Sequence, residues 1–126
     1  MERLEYAIKT GEPVCVWGDF DVDGQTSTSL LVSGIQSLGG NVTYYIPLRQ
    51  TESHGLNSAG LKRLITEGIK LLITCDTGMG NHKEVSYVTQ EGMDVIITDH
   101  HDVPSTLPKA HSIVNPKMLS EGHPLR

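Results

Sequence analysis

Seven acidic and imidazole side chains of this 126-residue chain fall into three short clusters, and all seven are types that can bind divalent metal ions. They are Asp19, Asp21 and Asp23, then Asp76, then Asp99, His100 and His101. Carboxylates combined with imidazoles suit manganese, magnesium, iron or zinc better than calcium. Because seven such groups exceed what one ion needs, the pattern favours a two-metal site, in which ions about 3.5–4 Å apart hold a phosphate and activate water.

These residues have two other possible interpretations. The Asp-x-Asp-x-Asp-Gly run at residues 19–24 is similar to the start of a calcium-binding loop, which requires a glutamate at its twelfth position. Counting from Asp19 gives Leu30 and counting from Asp21 gives Val32, so the closing ligand is absent. Helix capping is the second alternative; it explains Asp23 but not three separate clusters.

The elements that must position these clusters alternate along the chain. Apolar runs predict five strands, at Val14–Phe20, Asn41–Leu48, Ile69–Cys75, Asp94–Thr98 and Ala110–Val114. Helical spacing predicts four helices, at residues 1–12, 25–38, 58–67 and 81–91. Near-continuous apolar strands are typical of a sheet covered on both faces, so we expect a three-layer α/β domain with a mostly parallel five-stranded sheet. The three clusters follow strands, at the sheet edge where such folds bind ligands.

The segment after the first cluster, residues 24–28, is predicted to open a helix. Backbone N–H groups at a helix start favour phosphate, so Gly24 and Thr26 are candidate phosphate-binding residues. Ordinary helix capping by the hydroxyl groups remains the alternative.

Composition narrows the possible classes of protein. The net charge of −5 argues against a basic nucleic-acid coat protein, and 37% hydrophobic with 20% charged residues is typical of a globular chain. No apolar run is long enough for a membrane span and no signal-peptide pattern opens the chain, so we expect a cytoplasmic protein that has no membrane partner. Cys15 and Cys75 lie in strand-like runs and are predicted to be buried hydrophobic residues.

Five motifs, in order, resemble those of the DHH phosphoesterase family in its RecJ-like exonuclease branch. They are residues 18–24 (Gly-Asp-Phe-Asp-Val-Asp-Gly), the loop at 45–49 with 54–57, residues 76–78 (Asp-Thr-Gly), residues 98–101 (Thr-Asp-His-His) and residues 113–117 (Ile-Val-Asn-Pro-Lys). The loop motif favours the RecJ-like branch over the branches that act on small molecules.

The resemblance implies a role for each position. Asp21, Asp23, Asp76 and His100 would be metal ligands, with Asp76 bridging two ions, and Asp19 would be either a ligand or an acceptor behind the ligands. His101 would contact the scissile phosphate or a metal, and Asp99 would orient a histidine. Arg49 and His54 are candidate phosphate contacts.

The resemblance also implies an activity, the hydrolysis of phosphodiester bonds in single-stranded DNA from the 5′ end, in repair or recombination. It implies two Mn²⁺ or Mg²⁺ ions, and single-strand-binding or helicase proteins as partners. Two alternatives remain: a DHH phosphodiesterase acting on short oligonucleotides, cyclic dinucleotides or pyrophosphate, and an inactive binding module. Stacking surfaces would be needed for single strands, but Trp17, Tyr44 and Tyr45 are predicted to belong to the core.

Two departures from the family pattern bear on activity. The family has a further aspartate ligand beyond its Asp-His-His motif, and no aspartate follows Asp102 here. RecJ-like proteins also carry a DHH-associated domain that this chain lacks. We therefore expect residues 1–126 to be a DHH catalytic domain that is incomplete at its C-terminus, with weak metal binding and little activity alone.

Overall fold

Five parallel strands form one sheet in the computed structural model, which describes residues 2–126. The strands are β1 (Val14–Trp17), β2 (Val42–Tyr45), β3 (Leu71–Cys75), β4 (Asp94–Thr98) and β5 (Ser112–Val114), in the spatial order β2-β1-β3-β4-β5. The helices are α1 (Glu2–Thr10), α2 (Val22–Ser37), α3 (Ser58–Thr66) and α4 (His82–Gln90), and a 3₁₀ turn spans Pro116–Met118. Every neighbouring pair of strands is parallel. The α/β prediction is confirmed, and the sheet is entirely parallel.

Alternate residues of the central strands divide between two cores, one on each face of the sheet. Val14 and Val16 of β1 pack with Ala7 and Ile35 of the helices α1 and α2. Trp17 lies on the opposite face of β1, in the core that α3 and α4 cover. All residues of β1 and β3 are buried, because helices cover both of their faces. The burial of both faces explains the near-continuous apolar runs.

The strand order reverses direction between β1 and β3. From β1 the chain crosses through α2 to β2 on one side, and then through α3 to β3 on the other side of β1. A crevice opens at the carboxyl ends of two strands where such a reversal occurs, and ligands of open α/β sheets bind there. Asp19 follows β1 and Asp76 follows β3, so both lie at this reversal.

The predicted bounds of several elements are corrected. Helix α2 begins at Val22 rather than at residue 25, because the Asp21 carboxylate caps it by accepting a hydrogen bond from the Gly24 N–H at 2.9 Å. Strand β1 ends at Trp17 instead of Phe20, and β2 ends at Tyr45 instead of Leu48. Polar turns that carry the candidate site residues therefore begin earlier than the apolar runs indicated.

Core predictions for individual side chains were mostly correct. Cys15 and Cys75 are buried and unpaired, and burial raises the pKa of the Cys15 thiol to about 12 and that of Cys75 to about 11. Trp17 is buried and stacks on Tyr45, with ring centroids 4.1 Å apart. The prediction for Tyr44 was wrong, since 63% of it is exposed on the edge strand β2.

Within residues 2–126, no helix is long and apolar enough to span a bilayer.

Candidate metal centre

Asp76 occupies a strained backbone position directly after β3. Its φ of 61° is the only positive value for a non-glycine residue among those described. The left-handed conformation is costly for aspartate and is retained mainly where function requires it. The Asp76 N–H donates to the Thr98 carbonyl at 3.0 Å, so the residue is fixed against the end of β4. Its side chain is only 6% exposed.

One carboxylate oxygen of Asp76 lacks a hydrogen bond. Oδ1 of Asp76 is buried and no residue in the described range 2–126 donates to it, although Nε2 of His100 lies only 2.8 Å away. One ligand atom each from Asp76, His100 and His101 lies within 4.8 Å of the other two. A buried oxygen without a donor is unfavourable, and a cation shared with the imidazoles would satisfy it. These residues therefore fit the predicted divalent metal.

The charges around Asp76 lead to the same assignment. Burial raises the pKa of Asp76, and the nearby negative charge of Asp21 raises it further. The pKa of Asp21 itself is lowered, mainly because its carboxylate accepts the Gly24 N–H. Two carboxylates that repel each other at one edge of the sheet are the arrangement that bound positive charge would stabilise.

Two hollows meet at Asp76. The first, of about 550 Å³, is lined by Asp23, Thr26 and His100 among others. The second, of about 700 Å³, is lined by Asp19, His54 and His101 among others. Asp76 and Asp99 line both hollows. Both carboxylates therefore lie where the two hollows adjoin.

Asp99 holds the Asp-His-His turn in shape. Its carboxylate accepts hydrogen bonds from the Met79 N–H at 3.0 Å, the His100 N–H at 2.8 Å and the His101 N–H at 3.1 Å. It also lies 2.7 Å from Nδ1 of His101, which must donate because the carboxylate only accepts. Burial alone would raise the pKa of Asp99, but the hydrogen bonds from these donors lower that pKa. The Asp99 carboxylate in turn raises the pKa of His101. His101 is therefore left with Nε2 free to face the site.

Asp19 is already engaged by neighbouring groups. Its Oδ2 lies 2.7 Å from Nδ1 of His54, and its Oδ1 accepts the Phe20 N–H at 2.6 Å. The side chain is only 5% exposed. Of the two roles implied for Asp19, this bonding favours an acceptor behind the ligands.

Gly24 and Thr26 lie in the first turns of α2, where the sequence indicated phosphate binding. A Cβ on Gly24 would lie 2.5 Å from both N and O of Asp19, so glycine allows the helix to approach the Asp19 backbone. The Thr26 hydroxyl donates to the Val22 carbonyl at 2.7 Å. The structure therefore assigns Gly24 to close packing, while Thr26 lines the first hollow with its hydroxyl bonded to the helix.

The loop of residues 46–57 approaches the second hollow. His54 reaches Asp19, and its ring lies 4.1 Å from the ring of Phe20. The guanidinium of Arg49 lies 5.6 Å from the centroid of the same Phe20 ring. Phe20, which the sequence interpretation missed, thus connects both predicted phosphate contacts. Its place between Asp19 and Asp21 in the first motif is the signal that could have identified it.

Comparison with known proteins places these motifs in a family context. Residues 13–122 match the family model described as DHH family, N-terminal domain. The chain is 38% identical over 125 residues to the single-stranded-DNA-specific exonuclease RecJ of Bacillus subtilis, covering 99% of this chain but only 16% of that protein.

Solved structures agree with this similarity. A crystal structure of exonuclease RecJ bound to manganese matches with a TM-score of 0.88 and 35% identity, over 95% of this chain and 31% of that one. RecJ of Thermus thermophilus in complex with Mn²⁺ matches with a TM-score of 0.79 and 32% identity, over 95% of this chain and 17% of that one.

Proposed function

The chain belongs to the DHH family, and we propose that it carries the metal-dependent phosphodiesterase site of a nuclease acting on single-stranded DNA. The relatives named above are exonucleases, and this chain spans about a sixth of the length of the Bacillus subtilis relative. The proposed cofactor is a pair of Mn²⁺ or Mg²⁺ ions. The strand would be hydrolysed from its 5′ end.

The observation that carries this proposal is the buried Oδ1 of Asp76, which faces Nε2 of His100 without a hydrogen bond. Asp21 and Asp23 supply further carboxylates at the same sheet edge. Divalent ions held there would supply the positive charge that activates water and stabilises the leaving oxygen of a phosphodiester. A module that binds no metal would have no need for a buried carboxylate in a left-handed backbone conformation at this position.

The remaining side chains would position the substrate and move a proton. Asp99 holds His101 through Nδ1, so that Nε2–H remains free to act as a proton donor to the leaving oxygen. The hydrogen bond to Asp99 raises the pKa of His101 in the metal-free site and so favours its protonated form there. Arg49 and His54, held together by Phe20, would bind the phosphates on the Asp19 side of the site.

The proposal is tested by manganese titration calorimetry on the chain and on Asp76→Ala. Because no aspartate follows Asp102, we expect weak binding that approaches two ions per wild-type chain only at high manganese concentration, and loss of binding in the variant. A folded wild-type chain that binds no manganese would contradict the proposed mechanism.

Cleavage assays then distinguish the substrates. With manganese present and the chain at high concentration, so that the little activity expected of it is detected, a single-stranded oligothymidylate labelled at its 3′ end should shorten progressively, while a duplex of the same length should persist. Hydrolysis of a cyclic dinucleotide without action on the oligothymidylate would instead support the small-molecule alternative.

A further inference from the structure

We propose that Glu52 is a positioning residue, whose carboxylate holds the first part of the loop of residues 46–57 in the shape that presents Arg49 to the substrate phosphate. The inference rests on the proposed function, because it assigns Arg49 to phosphate. Glu52 contacts neither the metal ligands nor the substrate in this proposal, and it lies outside the five motifs.

The carboxylate of Glu52 accepts hydrogen bonds from three parts of the chain. Oε2 accepts the Leu48 N–H at 2.7 Å, at the start of the loop. Oε1 accepts the Tyr45 hydroxyl at 2.6 Å and the side-chain amide of Asn57 at 2.7 Å. One side chain thereby joins the end of β2, the loop itself and the start of α3. Hydrogen bonds to a charged acceptor are stronger than those between neutral groups.

The charge of Glu52 is part of this arrangement. The Leu48 N–H, the Tyr45 hydroxyl and the Asn57 amide together lower the pKa of Glu52, so the carboxylate is ionised at neutral pH. Burial raises the pKa of Tyr45, and so does its hydrogen bond to Glu52. A glutamine at position 52 would have one oxygen for three donors, so at least one of them would lose its partner.

The far end of the loop is fixed separately. Nε1 of Trp17 donates to the Gly55 carbonyl at 3.3 Å, and Oδ1 of Asn81 accepts the Leu56 N–H at 3.3 Å. Gly55 has a φ of 86°, and a Cβ there would lie 2.8 Å from Oδ1 of Asn81. His54 is adjacent to this fixed end, whereas Arg49 depends on the end that Glu52 holds.

Arg49 is the group most dependent on Glu52. It is exposed and follows Leu48, whose N–H donates to Glu52, and its contact with Phe20 is a long one of 5.6 Å. Loss of the Leu48 hydrogen bond would release the segment that aims the guanidinium. The metal ligands lie on other segments, so metal affinity should not depend on Glu52.

The test compares Glu52→Gln with Glu67→Gln, a matched carboxylate that accepts one exposed hydrogen bond from Arg63 at 2.7 Å, away from the site. Affinity for a phosphorothioate oligothymidylate is measured by fluorescence anisotropy with manganese present, in wild type and in an Arg49→Ala background. Calorimetry gives manganese affinity, and amide hydrogen exchange by NMR reports on the Leu48 N–H. Tyr45→Phe removes only one donor and serves as a milder variant.

We expect E52Q to weaken oligothymidylate binding about tenfold or more, the effect of losing a hydrogen bond to a charged group. The same change should have less than about a twofold effect in the Arg49→Ala background, because Glu52 acts through Arg49. In E52Q, hydrogen exchange of the Leu48 amide should accelerate and manganese affinity should stay unchanged. E67Q should bind the oligothymidylate as wild type does, and Tyr45→Phe should lose less affinity for it than E52Q.

Equal losses of affinity in both backgrounds would overturn the inference and leave Glu52 a purely structural residue. Unchanged Leu48 exchange together with unchanged oligothymidylate affinity in E52Q would overturn it as well. If the wild-type chain binds manganese but not the oligothymidylate, the proposed function fails and the phosphate-positioning role fails with it. The exchange data would still report separately whether Glu52 holds the loop.

Discussion

Nε2 of His100 lies 2.8 Å from Oδ1 of Asp76, and the two atoms are not aligned for a hydrogen bond. Asp76 follows β3 and His100 follows the neighbouring strand β4, at the same edge of the sheet, and both are types that bind divalent metal ions. The pKa of Asp76 is raised by burial and by the charge of Asp21, so the ionised carboxylate destabilises the metal-free fold. The site is therefore arranged for a bound cation at some cost to stability.

Asp76→Asn is expected to stabilise the metal-free protein while abolishing manganese binding. The substitution removes the repulsion with Asp21, and asparagine tolerates the φ of 61° at this position. Removal of an unfavourable charge typically contributes about 0.5–2 kcal/mol. Thermal unfolding in chelator and calorimetric titration with manganese measure the two effects.

Asp102→Asn is the control for this substitution. Asp102 is exposed and, within residues 2–126, forms an ion pair with Lys117 alone, at 2.7 Å, so both stability and manganese affinity should be nearly unchanged. A metal-free Asp76→Asn protein less stable than wild type would mean that the carboxylate contributes to the fold itself, contrary to our interpretation.

Asp99→Asn should destabilise the metal-free protein with a characteristic pH dependence. Any orientation of the asparagine amide places its NH₂ against one of the donors to Asp99, which costs roughly 1.5–3 kcal/mol. The pKa of Asp99 is lowered in the folded state, so its contribution is lost as pH falls through that pKa, below about 3.9. The pKa of His101 is raised, so its contribution is present below about pH 6.5 and is lost as pH rises through the folded value.

The difference in stability between wild type and Asp99→Asn should therefore be largest near pH 5–6. Urea unfolding at pH 3, 5.5 and 8.5, in chelator, measures it. A difference that stays constant across this range would show that Asp99 acts through packing rather than through its charge and its bond to His101.

Gly24→Ala is expected to damage both the fold and the site. The added Cβ would lie 2.5 Å from the backbone of Asp19, and overpacking of this kind typically costs about 1–3 kcal/mol. Gly34 lies on the same helix with nothing within 4 Å of its Cβ position, so Gly34→Ala should stabilise the protein by about 0.5–1 kcal/mol. Chemical unfolding of the two variants gives the comparison; similar effects at both positions would contradict the close approach of α2 to Asp19.

Sequence alone predicted the sheet because the central strands are buried on both faces. The apolar runs at Val14–Phe20 and Ile69–Cys75 predicted two central strands, which the structure buries completely, and the acidic clusters at their ends indicated the site. Bounds were less predictable. Helix α2 was expected to begin at residue 25, because the apolar residues at helical spacing, Leu31, Ile35 and Leu38, lie further along the chain. In the structure Gly24 lies inside the helix, since only glycine fits beside Asp19.

Residues that support the site were harder to predict than the candidate ligands. Glu52 and Asn81 act through hydrogen bonds to the loop of residues 46–57, and neither stands out by spacing or composition. Asn115 was recognised within a motif, but its donation to the His101 carbonyl at 3.0 Å could not be inferred from the motif. Such contacts join segments far apart in sequence, and local patterns carry no information about them.

His101→Ala is expected to separate proton transfer from metal binding. If Nε2 of His101 protonates the leaving oxygen, the variant should retain manganese affinity within about threefold and lose roughly 10²–10⁴ in the cleavage rate of oligothymidylate. A p-nitrophenyl phosphodiester releases a stable anion that needs no proton, so the loss with that substrate should be much smaller. His123→Ala, which changes an exposed histidine near the C-terminus, is the matched control.

Rates on the two substrates and calorimetry with manganese distinguish the roles implied for His101. Loss of manganese binding in His101→Ala would make this histidine a metal ligand, as its proximity to Asp76 and His100 also allows. Equal losses on both substrates with intact metal binding would mean that His101 binds the phosphate and does not transfer a proton. Proton transfer by His101 is supported only if metal affinity stays intact and the cleavage rate falls much more on oligothymidylate than on the p-nitrophenyl substrate. In that case Asp99 holds the ring through Nδ1, and Nε2 protonates the leaving oxygen.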